Sequence, residues 1–238
     1  MTRHIVAIGG RGLESENPLL DDFILSLSGK RRPRVCFLGT ASGDAADYIE
    51  RFYKSMPRRR CRASHLTLFN RTGVDPAALL AQQDVIYVGG GNTANMLAIW
   101  RVHGVDRVLR ATWRQGVVLA GVSAGANCWF EACSTDSFGP LAALRDGLGL
   151  LPGSVCPHYD GEKNRRPTFH RFIARAELPD GFAMDDGAAA HFVGRRFAGG
   201  VSSRLKAKVY YVCRKGRRAF EEVLETRFLG VASRAPVG

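Results

Sequence analysis

Ser123 stands in Gly121-Val122-Ser123-Ala124-Gly125, between an apolar run, Val117 to Ala120, and a stretch, Ala126 to Phe130, that can form a helix. A tight strand-to-helix turn exposes a hydroxyl, and glycines on either side let backbone pass close to it. That is the setting of a serine nucleophile, although a serine there can also simply cap the helix. A nucleophilic hydroxyl needs a general base within hydrogen-bond reach and a third group to orient that base. Of the six histidines, His4, His65, His103, His170 and His191 fall at ordinary strand or helix positions. His158 differs, because it follows a short apolar run in Cys156-Pro157-His158-Tyr159-Asp160-Gly161-Glu162, a polar loop stiffened by Pro157. The expected orienting acid is Asp136, in Cys133 to Phe138, with Asp160, Glu162, Asp185 and Asp186 as competitors. As a plain turn residue Asp136 needs no such role.

A second glycine cluster, Gly89-Gly90-Gly91-Asn92, ends an apolar run and opens a helical stretch from Thr93 to His103. Free amides in such a turn can bind a developing oxyanion or a phosphate. Gly9-Gly10-Arg11-Gly12 continues to Leu13-Glu14-Ser15 without completing a G-x-G-x-x-G fingerprint, and no G-K-[ST] phosphate loop is present. Nucleotide binding therefore ranks behind nucleophilic catalysis.

The elements that would position these residues alternate. Strand-like runs occur at Ile5 to Ile8, Arg34 to Leu38, Ser64 to Phe69, Asp84 to Val88 and Val117 to Val122. Between them lie helical stretches with recognisable starts, such as Asn17-Pro18 before Leu19 to Leu27 and Asp75-Pro76 before Ala77 to Ala81. The pattern predicts an α/β fold: an open, mostly parallel sheet with helices on both faces and its ligand site at the carboxyl ends of the strands. The glycine clusters sit at those ends. After Cys133 the periodicity weakens, with short strands expected at Val155-Cys156, Phe182 to Met184, Ala189 to Val193, Val209 to Cys213 and Ala219 to Leu224, and a helix from Pro167 to Ala176. No repeat or linker divides the chain, so 1–238 reads as a single domain.

Composition bounds the rest. With 238 residues, 45% of them hydrophobic, the chain can bury roughly 70% of its unfolded surface without a metal or disulfide. The six cysteines form no C-x-x-C pair or Cys/His cluster, so neither a metal site nor a disulfide framework is expected. No apolar run approaches the ~18 residues of a membrane span, and the N-terminal one is too short for a signal peptide. The expectation is a reduced, cytoplasmic protein. A formal net charge of +12, with basic runs at Lys30 to Arg34, Arg58 to Arg60 and Arg214 to Arg218, favours acidic partners in general. It does not specify nucleic acid.

Taken together, Val88-Gly89-Gly90-Gly91-Asn92-Thr93, Gly121 to Asn127 and Pro157-His158-Tyr159 resemble the motif set of the peptidase E family, serine dipeptidases on a class I glutamine-amidotransferase-like fold. Cyanophycinases are relatives with the same nucleophile arrangement. The resemblance covers the chain from its first strand to about Asp186 and implies Ser123 as nucleophile, His158 as general base and the Gly91 and Ala124 amides as oxyanion hole. Asp136 is the nearest equivalent of the family's acid. The aspartyl dipeptidases carry a substrate-binding Arg in the segment before that acid, and none lies between Ser123 and Asp136 here. A dipeptide presents an ammonium and a carboxylate, for which Asp160 and Glu162, and Arg165 and Arg166, are the respective candidates, with Gly90 and Asn92 also near the substrate. The resemblance implies a cofactor-free exopeptidase acting on small peptides, and a homodimer is compatible with it. The alternatives are a hydrolase of β-linked Asp-Arg units, a catalytically silent relative, or a basic protein that uses the glycine rim for a nucleotide.

Overall fold

The apolar runs of the first half become strands because each offers both of its faces for burial. In the computed structural model, which describes residues 2–14, 16–70 and 73–230, these are β1 (His4–Ile8), β2 (Arg34–Leu38), β3 (Arg62–Leu66), β4 (Val85–Val88) and β5 (Val118–Val122). All five run parallel, in the order β1-β5-β4-β2-β3. Side chains alternate across the sheet with the two-residue period of a strand. Ile5, Ala7, Cys36, Leu38, Ile86 and Val88 pack on one face against α3 (Pro76–Ala81), α4 (Thr93–His103) and α5 (Val105–Arg114), through Leu80, Trp100 and Trp113. On the other face Val6, Ile8, Val35, Phe37, Val85 and Tyr87 meet α1 (Leu19–Ser26) and α2 (Ala46–Ser55), through Ile24 and Phe52.

The helix starts follow local chemistry. Asp75 accepts from the Ala77 and Ala78 amides with Pro76 in the first turn, and the Asn92 side chain accepts from Asn95 N at 2.9 Å to open α4.

The expected α/β sheet with helices on both faces is present, but the second half of the chain also builds a second sheet. A single turn, α6 (Ala124–Asn127), follows β5 in place of the expected helix through Phe130, and β6 (Phe130–Thr135) starts there. Phe130 is fully buried and meets Phe192 edge-on, so tertiary packing overrides its local helical context. The second sheet has the order β13-β12-β9-β8-β6-β7. Its remaining strands are β7 (Ala142–Leu144), β8 (Leu151–Cys156), β9 (Gly181–Met184), β12 (Val209–Lys215) and β13 (Arg218–Leu224). One face of it is covered by α7 (Arg165–Ala174), whose Phe169, Phe172 and Ile173 pack with Ala132, Cys156, Ala183 and Val212.

Three further strands, β10 (Ala188–Val193), β11 (Arg196–Ser202) and β14 (Thr226–Phe228), extend the first sheet beyond β1. The expected Ser64 to Phe69 strand is shifted to Arg62–Leu66. All six cysteines are free, and five are buried. No helix among the described residues is long and apolar enough to cross a membrane.

Candidate active site

The site lies where the carboxyl ends of β1, β4 and β5 face the loops that leave the second sheet. β5 delivers Ser123 into a turn at φ 57° and ψ −112°, a strained conformation for a residue with a side chain. The turn is held by its own backbone: Ser123 N donates to Ile8 O at 3.1 Å, while its carbonyl accepts from Ala126 N and Asn127 N, both at 2.9 Å. Both flanking glycines are sterically required. A Cβ at Gly121 would run into the Gly125 backbone, and one at Gly125 would run into the Val88 carbonyl.

His158 follows β8. Its amide donates to Gly9 O at 3.1 Å and the Tyr159 amide to Met184 O at 3.1 Å, so the loop is fixed between β1 and β9. His158 too has a positive φ, 55°. In that conformation its Nε2 lies 2.9 Å from Ser123 Oγ and its Nδ1 2.8 Å from Asp186 Oδ1. These two contacts make a continuous hydroxyl–imidazole–carboxylate chain. The His158 hydrogen bond, against the opposing effect of burial, holds the Asp186 carboxyl below its usual pKa, and the charge of Arg204 acts in the same direction.

The carboxylate at His158 is thus Asp186, one of the competing acids, and not Asp136. Asp186 occupies the turn between β9 and β10, where the chain passes from the second sheet to the first. Its amide donates to Asp160 Oδ1 at 2.7 Å, and Arg204 Nη1 bridges Asp186 O at 2.8 Å and Asp160 Oδ2 at 3.3 Å. Gly10 and Gly161 lie against the pair: a Cβ on Gly10 would sit 2.7 Å from His158 Nδ1 and closer still to Asp186, and one on Gly161 would sit 2.5 Å from Asp186 Oδ2. Asp136 instead follows β6 and meets Arg165 Nη2 at 3.3 Å.

The two amides expected as oxyanion donors are uncommitted. Among the described residues neither the Gly91 nor the Ala124 amide has a hydrogen-bond partner. Gly91 adopts φ 136°, and a Cβ there would strike the Ala41 carbonyl, so only glycine can hold this turn. The Gly90 amide, by contrast, is occupied by the Tyr48 hydroxyl at 3.0 Å. The Asn92 side chain is engaged as well, capping α4 and donating to Ser137 O at 2.9 Å.

The expected substrate-contacting charges divide. Glu162 and Arg165 line a cavity of about 400 Å³ together with Gly91, Asn92, Ser123, Asp136, Ser137 and His158. Asp160 braces the Asp186 turn and does not line it. Arg166 points away, pairing with Glu221 and lying over the Tyr159 and Tyr210 rings at 5.3 Å. A second cleft of about 330 Å³ opens on the other side of Ser123, bordered by Arg11, Leu13, Glu14, Tyr48 and Arg51. Sequence reasoning missed Ser137, Arg204 and, in this second cleft, Tyr48 and Arg51; none of these stands in a motif, and only the fold brings them near. No group of three or more His, Cys, Asp or Glu side chains among the described residues could hold a metal.

A half-buried hydroxyl on a tight turn, joined to an imidazole and a carboxylate and lining a cavity beside an unpaired amide, has the parts needed for acyl transfer. Comparison with known proteins agrees with that chemistry. Residues 5–199 match Peptidase family S51. The chain is 49% identical over 230 residues to an uncharacterized peptidase, YgaJ, of Bacillus subtilis, covering 96% of this chain and 100% of that protein. It is 34% identical to Peptidase E of Citrobacter koseri over 105 residues, 43% of this chain and 44% of that one. Among solved structures, a peptidase from an acI-B1 Actinobacterium superposes with a TM-score of 0.71 at 16% identity, covering 95% of each chain. A putative Peptidase E protein from Listeria monocytogenes gives a TM-score of 0.62 at 19% identity, over 83% of this chain and 97% of that one. The chain is a member of peptidase family S51, a family of serine peptidases.

Proposed function

We propose that this peptidase hydrolyses short peptides, dipeptides foremost, through an acyl-enzyme on Ser123. The observation that carries the reading is the unbroken chain from Ser123 Oγ through His158 to Asp186, at 2.9 and 2.8 Å. As Oγ attacks the scissile carbonyl carbon, His158 Nε2 takes its proton. The carbonyl oxygen, now an oxyanion, turns toward the Gly91 and Ala124 amides. Asp186 accepts from Nδ1–H, which fixes the tautomer that leaves Nε2 free and stabilises the imidazolium. Nε2 returns the proton to the leaving amine, the C–N bond breaks, and the acyl group stays on Oγ. Water then attacks the acyl carbon as His158 Nε2 takes its proton, the C–Oγ bond breaks, and Nε2 returns that proton to Ser123 Oγ as the acid leaves. Cavities of about 400 and 330 Å³ on the two sides of Ser123 suit small ligands better than an extended polypeptide.

The test is hydrolysis of a dipeptide panel by the wild type and by Ser123→Ala, alongside labelling by a fluorophosphonate probe. Cleavage and labelling that both vanish in Ser123→Ala, with a kcat loss on the order of 10⁶, support the reading. A folded wild type that neither labels nor cleaves overturns it.

A further inference from the structure

Among the described residues one cation lines the cavity beside Ser123, and that cation is already spoken for. Arg165 is 3% exposed at the start of α7. Its Nε donates to Glu162 Oε2 at 2.7 Å, its Nη2 reaches Glu162 Oε1 at 3.4 Å and Asp136 Oδ2 at 3.3 Å, and its Nη1 donates to Ser134 O at 3.3 Å. The carboxylates, in contrast, are open, their side chains 57% exposed for Asp136 and 47% for Glu162. Two carboxylates against one guanidinium leave this wall with one net negative charge, in a cavity that opens on the reacting hydroxyl.

A substrate carboxylate entering here would find the donors of Arg165 taken and two like charges in front of it. A cation would find oxygens with acceptor capacity to spare, already oriented by a buried arginine. The opposite wall has the reverse character, because Arg51 lines it without an acidic partner closer than the 3.9 Å of the exposed Asp47, and Arg11 adds a second cation paired to Glu14. A dipeptide zwitterion has the matching asymmetry.

We propose that Asp136 and Glu162, held by Arg165, are specificity-determining residues that receive a cationic group of the substrate's first residue and reject an acidic side chain there. This rests on Ser123 being the nucleophile. The cation can be the α-ammonium or a lysine- or arginine-type side chain, and the two sources separate by experiment. A free α-ammonium lies two bonds from the scissile carbonyl carbon and therefore stays within reach of a wall that borders Ser123.

The test compares Leu-X, Lys-X and Asp-X dipeptide amides with one common X, each with a free and an acetylated amino group. The proteins are the wild type, Glu162→Gln and the double variant Asp136→Asn/Glu162→Gln. The expected wild-type ranking places Asp-X last, at least tenfold below Leu-X in kcat/KM. Acetylation costs at least tenfold on Leu-X if the α-ammonium is the bound cation, whereas acetylated Lys-X remains the better substrate if the side chain is. In the double variant Arg165 is freed, so the Asp-X to Leu-X ratio rises at least tenfold, with the change in KM and fluorophosphonate labelling of Ser123 retained. Wild-type preference for Asp-X, or equal rates for free and acetylated substrates together with no gain for Lys-X, overturns the inference and leaves the nucleophile intact. Those wild-type rankings decide the matter even if the double variant does not fold. Loss of both labelling and hydrolysis in the folded wild type removes the nucleophile and this inference together.

Discussion

Strands β1, β2, β4 and β5 are sealed on both faces by helices, second-sheet strands or both, with almost every residue buried, whereas β12 buries only Val209 and Val212, and β13 alternates between half-buried and exposed positions as the two end in open hairpin. The site draws on both sheets, and they contribute in different ways. The first supplies Ser123 and the unpaired amides from regular strand ends, fixed by the pleat and by glycines that permit no substitute. The second supplies His158 and Asp186 from loops, fixed by side-chain and backbone hydrogen bonds across the gap between sheets. Rigid geometry on one side is thus matched by a braced polar turn on the other. The two kinds of support predict different penalties when they are disturbed.

The largest effect expected within the loop-borne half comes from the acid. Replacing Asp186 by Asn keeps the shape but presents Nδ1 with a group that can donate, favouring the wrong imidazole tautomer. The expected loss is about 10⁴ in kcat, the scale known for such a change in a serine triad. Asp136→Asn is expected to cost at least 10²-fold less in kcat, because Asp136 touches Arg165 and not His158. Equal losses for the two variants would mean that Asp136 reaches His158 in the working enzyme.

The same contrast explains what could be read from the residues alone. The parallel strands, their order of glycine-rich ends and Ser123 were legible because βαβ periodicity and the elbow pentapeptide are local signals. His158 was legible for a similar reason, standing at the end of an apolar run behind Pro157. The acid was not. Asp186 meets His158 from a turn whose position depends on the crossover between β9 and β10, and its neighbours Asp160 and Asp185 look equivalent along the chain. Asp136, preferred on order and resemblance, is drawn aside by a buried guanidinium that no spacing rule reveals. The start of the second sheet was hidden for a related reason, since β6 begins at Phe130 in a stretch that reads as helix, and in the extension of the first sheet β11 contains Gly199-Gly200, which lowers its strand signal.

Where the two sheets touch, steric tolerance is the next test. Gly10 comes from the end of β1 and lies against both His158 and Asp186. Gly10→Ala would push the imidazole and carboxylate apart by part of an ångström to an ångström, a displacement that costs about 10²-fold in well-aligned chemistry. Fluorophosphonate labelling should slow in proportion, since it uses the same proton relay. A variant that folds and labels at the wild-type rate would show that the loop-borne half adjusts freely, and that its bracing is weaker than the hydrogen bonds suggest.

The smallest of these effects concerns the brace itself. Arg204 holds the Asp186 carbonyl and Asp160, and its charge helps keep the Asp186 carboxyl ionised, after the hydrogen bond and the charge of His158. Because the folded-state pKa of Asp186 is depressed, the ionised, orienting form is present at neutral pH and is lost only as pH falls through that lowered value. Removing the cation raises the pKa, so the Asp186 carboxyl should titrate at higher pH in Arg204→Ala than in the wild type, followed by carboxyl-carbon NMR. At neutral pH, where Asp186 remains charged, kcat should fall by about tenfold from looser positioning alone. Arg204→Lys retains a positive charge but not the forked donor geometry, and should restore the Asp186 titration more fully than the neutral-pH rate. If Arg204→Ala lowers the rate while the Asp186 carboxyl titrates as in the wild type, Arg204 positions the turn without influencing the charge of Asp186, and the brace is mechanical only.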